Sequence, residues 1–167
     1  MSRLNRFFFA GAHRPGDILQ LDAERSNYLC RVLRMREQEE VDIFDGEGGL
    51  YRCQVSKAHQ RRAQIRVVEQ IVSIERPDQA PSLAMALLKG QAMDRAIAQA
   101  TELGVQQIWL LQTDRSNLPL KGERLDQKLG HWQRVIASAC EQSGQTWLPV
   151  LHPPRTVKAC VDEQASG

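Results

Sequence analysis

The sequence has little of what marks disulfide-rich, metal-binding or membrane proteins. Its 167 residues include four cysteines that stand far apart, with no Cys-x-x-Cys pair and no histidine at metal-ligand spacing. This spacing argues against a zinc site and against a disulfide framework. The longest apolar runs, 83–88 and 108–111, are far too short to cross a bilayer, and the N-terminus lacks the apolar region of a signal peptide. We therefore expect a cytoplasmic protein with reduced thiols, no metal and no membrane partner.

The net charge is small, but the charges are unevenly distributed. The chain has 22 basic and 20 acidic residues, which excludes a histone-like or polybasic protein. Residues 1–36 contain seven arginines and three acids, whereas residues 77–167 contain nine basic and nine acidic residues. The N-terminal excess of positive charge could therefore bind phosphate or another anion.

Residues 1–72 have the pattern of a small all-β domain. Apolar and polar side chains alternate in 51–55 and again in 63–67, which indicates half-buried antiparallel strands. Turn residues fill 45–49, and one helix is predicted to begin near Asp22, whose carboxylate can cap it. Several short strands with one helix predict a small barrel or sandwich.

The pattern changes after a proline-containing linker, 73–82. The apolar run 83–88 predicts a strand covered on both faces, and 107–112 predicts a second. Amphipathic helices are predicted after each, ending at Gly104 and at Gly144. A third strand and a last helix complete the alternation, which is typical of a parallel α/β sheet.

The N-terminal domain carries the first candidate site, a basic segment. On a single α-helix, Asn27, Arg31 and Arg34 would fall at i, i+4 and i+7, on one face. Guanidinium groups suit phosphate oxygens and hold a nucleic acid without reading its sequence. A solvated arginine face is the alternative interpretation. Three further arginines add charge nearby: Arg3, Arg6 and Arg36.

The predicted parallel sheet carries a second candidate site at the carboxyl ends of its strands, where ligands bind in such folds. Lys89 and Gly90 follow the first strand, with Arg95 on the helix after them, and Arg115 and Ser116 follow the second. No glycine-rich phosphate or dinucleotide motif is present. An ordinary turn with a solvated lysine is the alternative interpretation for Lys89-Gly90.

Two acidic residues lie in unfavourable positions for a helix. Glu102 is predicted in the last turn of its helix, where the macrodipole disfavours an anion, and Glu141, followed by Gln142, repeats the pattern. Such a departure indicates a functional role or an ion pair with another element. An ordinary exposed carboxylate is the alternative interpretation for each.

Taken together, segments along nearly the whole chain resemble the ribosomal RNA small-subunit methyltransferase E family, in the family's order and approximate spacing. The segments are Asn27–Arg36 with Asp45-Gly46, Lys89-Gly90, Met93-Asp94, Glu102-Leu103-Gly104-Val105, Arg115-Ser116, Lys128, Trp132 and Ala139-Cys140-Glu141-Gln142-Ser143. Asn27 departs from the pattern, because many relatives have histidine there.

The resemblance implies a PUA-like β-barrel for RNA binding over 1–72, the linker 73–82, and the first part of a SPOUT α/β domain over 83–167. Such enzymes are homodimers that bind S-adenosylmethionine (SAM) in a trefoil knot and methylate N3 of one uridine in the 16S rRNA of the small ribosomal subunit. The knot-forming loop and the arginine-rich segment after it are absent. We therefore expect a C-terminally truncated chain that is inactive alone, with the cofactor-binding residues beyond Gly167.

The resemblance also suggests roles for the candidate residues. Arg115 and Glu102 are expected to be catalytic, with Glu141 and Gln142 supporting the pocket or a dimer contact. A non-catalytic RNA-binding module is the main alternative, and an unrelated small α/β enzyme acting on an anionic metabolite is another. The residues expected to contact RNA are Arg3, Arg6, Asn27, Arg31, Arg34, Arg36, Lys89, Arg95 and Ser116.

Overall fold

Antiparallel strands give way to alternating parallel strands and helices near residue 76. The computed structural model describes residues 5–113 and 122–164. Two units are distinguished by their internal contacts, Met1–Arg76 and Pro77–Gly167. Each has its own sheet and its own buried residues.

The first unit is built on a five-stranded sheet with the order β1-β3-β4-β5-β2. β1 pairs with β3 in parallel, and the other neighbouring strands are antiparallel. The alternating segments 51–55 and 63–67 were predicted as strands, and the structure confirms both. The two three-residue strands are too short to show a period in the sequence. The strands are β1 (Arg6–Phe8), β2 (Ile18–Gln20), β3 (Glu40–Phe44), β4 (Gly49–Lys57) and β5 (Gln64–Ser73).

The core of this unit lies on one face of the long strands. Alternate residues of β4 are buried, among them Tyr51, Cys53 and Val55, and each buried apolar side chain of this size contributes roughly 1.5–3 kcal/mol. Burial also raises the pKa of the Cys53 thiol to about 12, so this cysteine stays protonated. The other residues of the core cluster are Phe7, Leu21, Leu29, Val41, Ile43, Ala63, Ile65 and Val67.

The predicted helix begins where expected but does not continue as a single α-helix. Asp22 caps α1 (Ala23–Asn27) by accepting the Arg25 N–H at 2.8 Å. The chain then forms a π-helix, Tyr28–Val32, in which Leu33 N–H donates to the Tyr28 carbonyl five residues back. Arg34 follows with a φ of 55°, outside any helix. The prediction that Asn27, Arg31 and Arg34 share one α-helical face is therefore wrong, because the π-turn and the left-handed residue change the spacing.

Ser26, the buried fourth residue of α1, joins the helix to two strands. Its Oγ accepts the Ala63 N–H at 3.0 Å and donates to the Leu21 carbonyl at 3.2 Å. Leu21 N–H in turn donates to the Ala63 carbonyl at 2.9 Å. One fully buried hydroxyl therefore fixes α1 against the end of β2 and the start of β5.

We expect Ser26→Ala to lower the free energy of unfolding of this unit by about 1–3 kcal/mol, because two buried hydrogen bonds are lost. Native-state hydrogen exchange of the β4 and β5 amides measures this for the first unit alone. Ser56→Ala is the matched control, since the buried Ser56 Oγ has no hydrogen-bond partner among the described residues. Equal effects of the two substitutions would contradict the role given to Ser26.

The second unit alternates strands and helices around a parallel sheet of the order β6-β7-β8. This confirms the predicted order of elements, and Gly104 (φ 82°) and Gly144 (φ 89°) follow the ends of the first two helices as predicted. The elements are β6 (Ser82–Ala86), α2 (Gln91–Glu102), β7 (Gln107–Gln112), α3 (Glu123–Ser143), β8 (Val150–Thr156) and α4 (Val157–Gln164).

The burial of the strands differs from the prediction in one respect. Ile108 and Leu110 of β7 are fully buried, as a central parallel strand requires. In β6, Ala84 is exposed and Met85 is half-buried, so the prediction that this strand is covered on both faces is wrong. The reason is position, because β6 lies at one edge of the sheet that the described residues form.

Candidate functional site

The carboxyl edge of the parallel sheet carries part of the predicted site. Lys89 and Gly90 lie between β6 and α2, and Gly90 has a φ of 58° at the start of the helix. Lys89 is exposed, and so is Arg95 on the second turn of α2. The edge is therefore open to a ligand. Arg115 and Ser116 follow β7 in the sequence and lie outside the described residues, as does Arg3 in the first unit.

Glu102 lies at the other end of α2. The helix spans 12 residues, so its last residue is about 16 Å along the axis from its first. Glu102 is exposed and lies close in sequence to the amino end of β7, where Gln106 N–H donates to the Pro81 carbonyl. Glu141 and Gln142 hold the corresponding place at the end of α3. The structure thus does not bring Glu102 to the same edge as Lys89.

An aspartate–histidine contact joins the two long helices of the α/β unit. The carboxylate Oδ2 of Asp94 on α2 lies 3.0 Å from Nε2 of His131 on α3, and both side chains are partly exposed. Asp94 belongs to the Met93-Asp94 segment of the family pattern, while Met93 is buried beneath it. We therefore assign this segment to helix packing.

An aromatic stack covers the middle of β7. The ring of His152 on β8 lies parallel to that of Trp109, with centroids 3.5 Å apart, and the Arg155 guanidinium lies 4.7 Å from the Trp109 centroid. His152 Nε2 is 3.0 Å from Gln107 Oε1, an oxygen that can only accept, so the imidazole donates. Burial, and secondarily the charge of Arg155, lower the pKa of His152.

The stack makes the stability of the α/β unit sensitive to acid. In the unfolded chain the imidazole takes up a proton as the pH falls through about 6.5, whereas the folded ring resists protonation. We expect the free energy of unfolding to decrease below pH 6.5, and His152→Gln to flatten that decrease. Urea unfolding followed by tryptophan fluorescence measures this, because all three tryptophans lie in residues 77–167. Identical pH dependence in both proteins would contradict the assignment.

The arginines of the first unit do not form one continuous face. Arg31, Arg34 and Arg36 are exposed, and Asn27 is exposed at the end of α1. Arg6 is half-buried on β1, with its guanidinium 5.4 Å from the centroid of the Phe44 ring. Arg6 therefore packs against the sheet, whereas the segment after α1 presents its cations to solvent.

Sequence reasoning missed a second group of basic side chains in this unit. A basin of about 260 Å³ opens beside the turn between β4 and β5. The signal was present as a dense run of cationic residues, but a charge run in a turn does not by itself indicate a concave surface. The basin is lined by Gln20, Lys57, His59, Arg62 and Gln64.

Two negative findings concern the described residues. Within 5–113 and 122–164, no three histidine, cysteine or acidic side chains are grouped so that they could hold a metal ion. No helix in the same two ranges has the length and apolar character needed to span a membrane. The four cysteines, which all lie within these two ranges, form no disulfide.

Each of the two units matches a known family model. Residues 21–68 match the RNA methyltransferase PUA domain, and residues 75–167 match the RNA methyltransferase domain. The first unit is thus a PUA-like domain and the second an α/β methyltransferase-type domain.

Individual relatives agree with the family match. The ribosomal RNA small subunit methyltransferase E of Synechocystis is 32% identical over 87% of this chain and 46% of its own length. The enzyme of the same name from Mycobacterium bovis is 31% identical over 91% of this chain and 59% of its own length. The chain spans about half the length of these curated relatives.

A solved structure gives the same result for the fold. The crystal structure of a ribosomal RNA small subunit methyltransferase E from Neisseria gonorrhoeae bound to S-adenosyl methionine has a TM-score of 0.83 and 27% identity. The alignment covers 96% of this chain and 66% of that one. Because the RNA methyltransferase domain matches more than half of its residues and relatives of this name align along most of its length, the chain belongs to the ribosomal RNA small subunit methyltransferase E family.

Proposed function

We propose that this chain is part of a SAM-dependent methyltransferase that methylates N3 of a uridine in 16S rRNA. The observation that carries the proposal is the match of both units, in order, to the two domains of RNA methyltransferases. The SAM-bound relative supports the choice of methyl donor. In this proposal the PUA-like unit binds RNA, and the α/β unit belongs to the catalytic domain.

The proposed chemistry requires that the uracil ring lose a proton. The N3–H bond breaks, N3 forms a bond to the methyl carbon, and the bond from that carbon to sulfur breaks. SAM supplies the methyl group as an electrophile when bound, and the products are N3-methyluridine, S-adenosylhomocysteine and a proton. A cation beside the base favours the deprotonated ring by stabilising its negative charge. We assign no described residue to the cofactor, whose trefoil-knot site remains part of the proposal.

Arg115 is the residue that we propose for this cation, since it follows the carboxyl end of β7 in the sequence. Glu102 lies at the opposite edge of the unit, so its proposed catalytic role is less well supported by the geometry. Glu141 and Gln142 share that edge and fit a supporting role or the contact of a homodimer better than substrate binding.

In the full-length protein, we expect Arg115→Ala to lower kcat/KM for methyl transfer to 16S rRNA by roughly 10²–10³-fold, the effect of removing one charge-stabilising group. Transfer of a labelled methyl group, with the product identified as N3-methyluridine, measures this. Arg124→Ala on the first turn of α3 is the control, because Arg124 is exposed and has no proposed role. Wild-type kcat/KM in Arg115→Ala would contradict the assignment.

The RNA-binding part of the proposal is tested separately. We expect Arg31→Ala with Arg34→Ala to weaken binding of a 16S rRNA fragment and to reduce the slope of log K against log salt by about 0.7–2, because one or two phosphate contacts are lost. Filter binding over a salt series measures both effects. Arg14→Gln with Lys158→Gln removes the same charge from exposed positions outside the proposed face. Curves unchanged by the first pair would remove this face from the RNA contact.

A protein that binds RNA but neither binds SAM nor transfers a methyl group would instead be a non-catalytic RNA-binding module. Calorimetric titration with SAM distinguishes the two functions, since only the enzyme needs the methyl donor.

A further inference from the structure

We propose that the basin beside the β4–β5 turn is a binding site for a phosphate group of the RNA backbone. This inference deepens the proposed function and rests on it. The basin is distinct from the segment 27–36 and from the sheet edge at Lys89. Its donors are supplied by Lys57, His59 and Arg62, with the amides of Gln20 and Gln64 beside them.

The chemistry of the lining selects an anion. Two of the five lining side chains carry a fixed positive charge, and no acidic side chain lines the basin. His59 Nδ1 accepts the Arg61 N–H at 3.2 Å, so the neutral imidazole carries its hydrogen on Nε2 and is a donor there. Glu37 is the nearby acid, and its Oε1 accepts the Ala58 N–H at 3.2 Å. Ammonium, guanidinium and amide donors around one concavity are suited to phosphate oxygens.

The size of the basin favours binding of a single phosphate group over binding of a whole metabolite. Its volume of about 260 Å³ is below the roughly 300–1,000 Å³ of pockets that enclose small-molecule ligands. A phosphate within a longer chain needs only a shallow, open site. The RNA strand can then continue to other cations on the same surface.

A further cation, Arg31, lies next to the turn and extends the basic surface. Arg31 Nη2 donates to Gln60 Oε1 at 3.0 Å, which holds the guanidinium beside the residues that form the basin. Arg31 comes from the π-helix, whereas Gln60 belongs to the β4–β5 turn. The surface therefore offers two cationic positions from different elements, as a chain of phosphates requires and a free phosphate does not.

The scaffold beneath the basin is well fixed. Lys57 and Gln64 are cross-strand partners, and Gln20 pairs with Gln64 on the other side. Ala63, directly before Gln64, is held by Ser26 and Leu21 through hydrogen bonds of 3.0 and 2.9 Å. A site on paired strands loses little conformational freedom when a ligand binds.

The test uses two double variants of the full chain. The basin pair combines Lys57→Gln and Arg62→Gln, and the control pair combines Arg14→Gln and Lys158→Gln. Arg14 precedes β2, and Gln20, at the far end of that strand, lines the basin, so the control removes charge away from it. We expect the basin pair to weaken binding of a 16S rRNA fragment roughly tenfold and to reduce the salt slope by about 0.7–2. Native-state hydrogen exchange of β5 and of β7 confirms that both units remain folded in both pairs.

The possible outcomes distinguish failure of the basin assignment from failure of the proposed function. If the wild-type chain binds RNA and the basin pair binds it equally well, the basin assignment is overturned while RNA binding stands. If the wild-type chain binds no RNA, the proposed function fails together with the inference. Inorganic phosphate is the second probe, followed through the amide resonances of residues 57–64. Saturable shifts without any RNA binding would reassign the basin to free phosphate and overturn the RNA proposal.

Discussion

The hydroxyl of Ser26 is the contact on which the basic side of the first unit depends. It is fully buried, and it links α1 to the residues that end β2 and begin β5. The two hydrogen bonds of this buried hydroxyl fix the position of α1 relative to the strands. If α1 shifts, the backbone groups that they satisfy lose their partners, at a cost of about 1–3 kcal/mol each. Two cationic groups, the arginines after α1 and the lining of the basin, are held on either side of this link.

The π-helix changes how the sequence presents its charges. Its wider turn carries Arg31 toward the β4–β5 turn, where Gln60 accepts its hydrogen bond. Arg34 then leaves the helix with a left-handed backbone. π-turns occur often at functional sites, and here the turn brings a residue from the helical segment beside a hairpin 29 residues further along the chain. The cationic surface is thus a product of tertiary structure.

The sequence predicted the parts of the fold that have a regular hydrophobic pattern or a clear residue at a helix end. The strands of the α/β unit, the helix-ending glycines and the cap at Asp22 all follow from local rules. The bounds of β8 do not follow from such rules, because Pro153 and Pro154 lie within it and lack the N–H groups of a regular strand. The basin could not be predicted, since its lining comes from β2, β4, β5 and the turn between them. Glu102 and Arg115 were grouped by family pattern, although the predicted helix already placed Glu102 in its last turn, away from the carboxyl ends of the strands.

The most direct test of this account is hydrogen–deuterium exchange of the full chain with and without a 16S rRNA fragment. The measurement reports backbone protection at each segment and needs no substitution. We expect slower exchange in residues 31–36 and 57–64 when RNA is bound, with residues 11–17 unchanged. Unchanged exchange in both basic segments while RNA is bound would contradict the proposed RNA contact, because the RNA would then lie elsewhere on the protein.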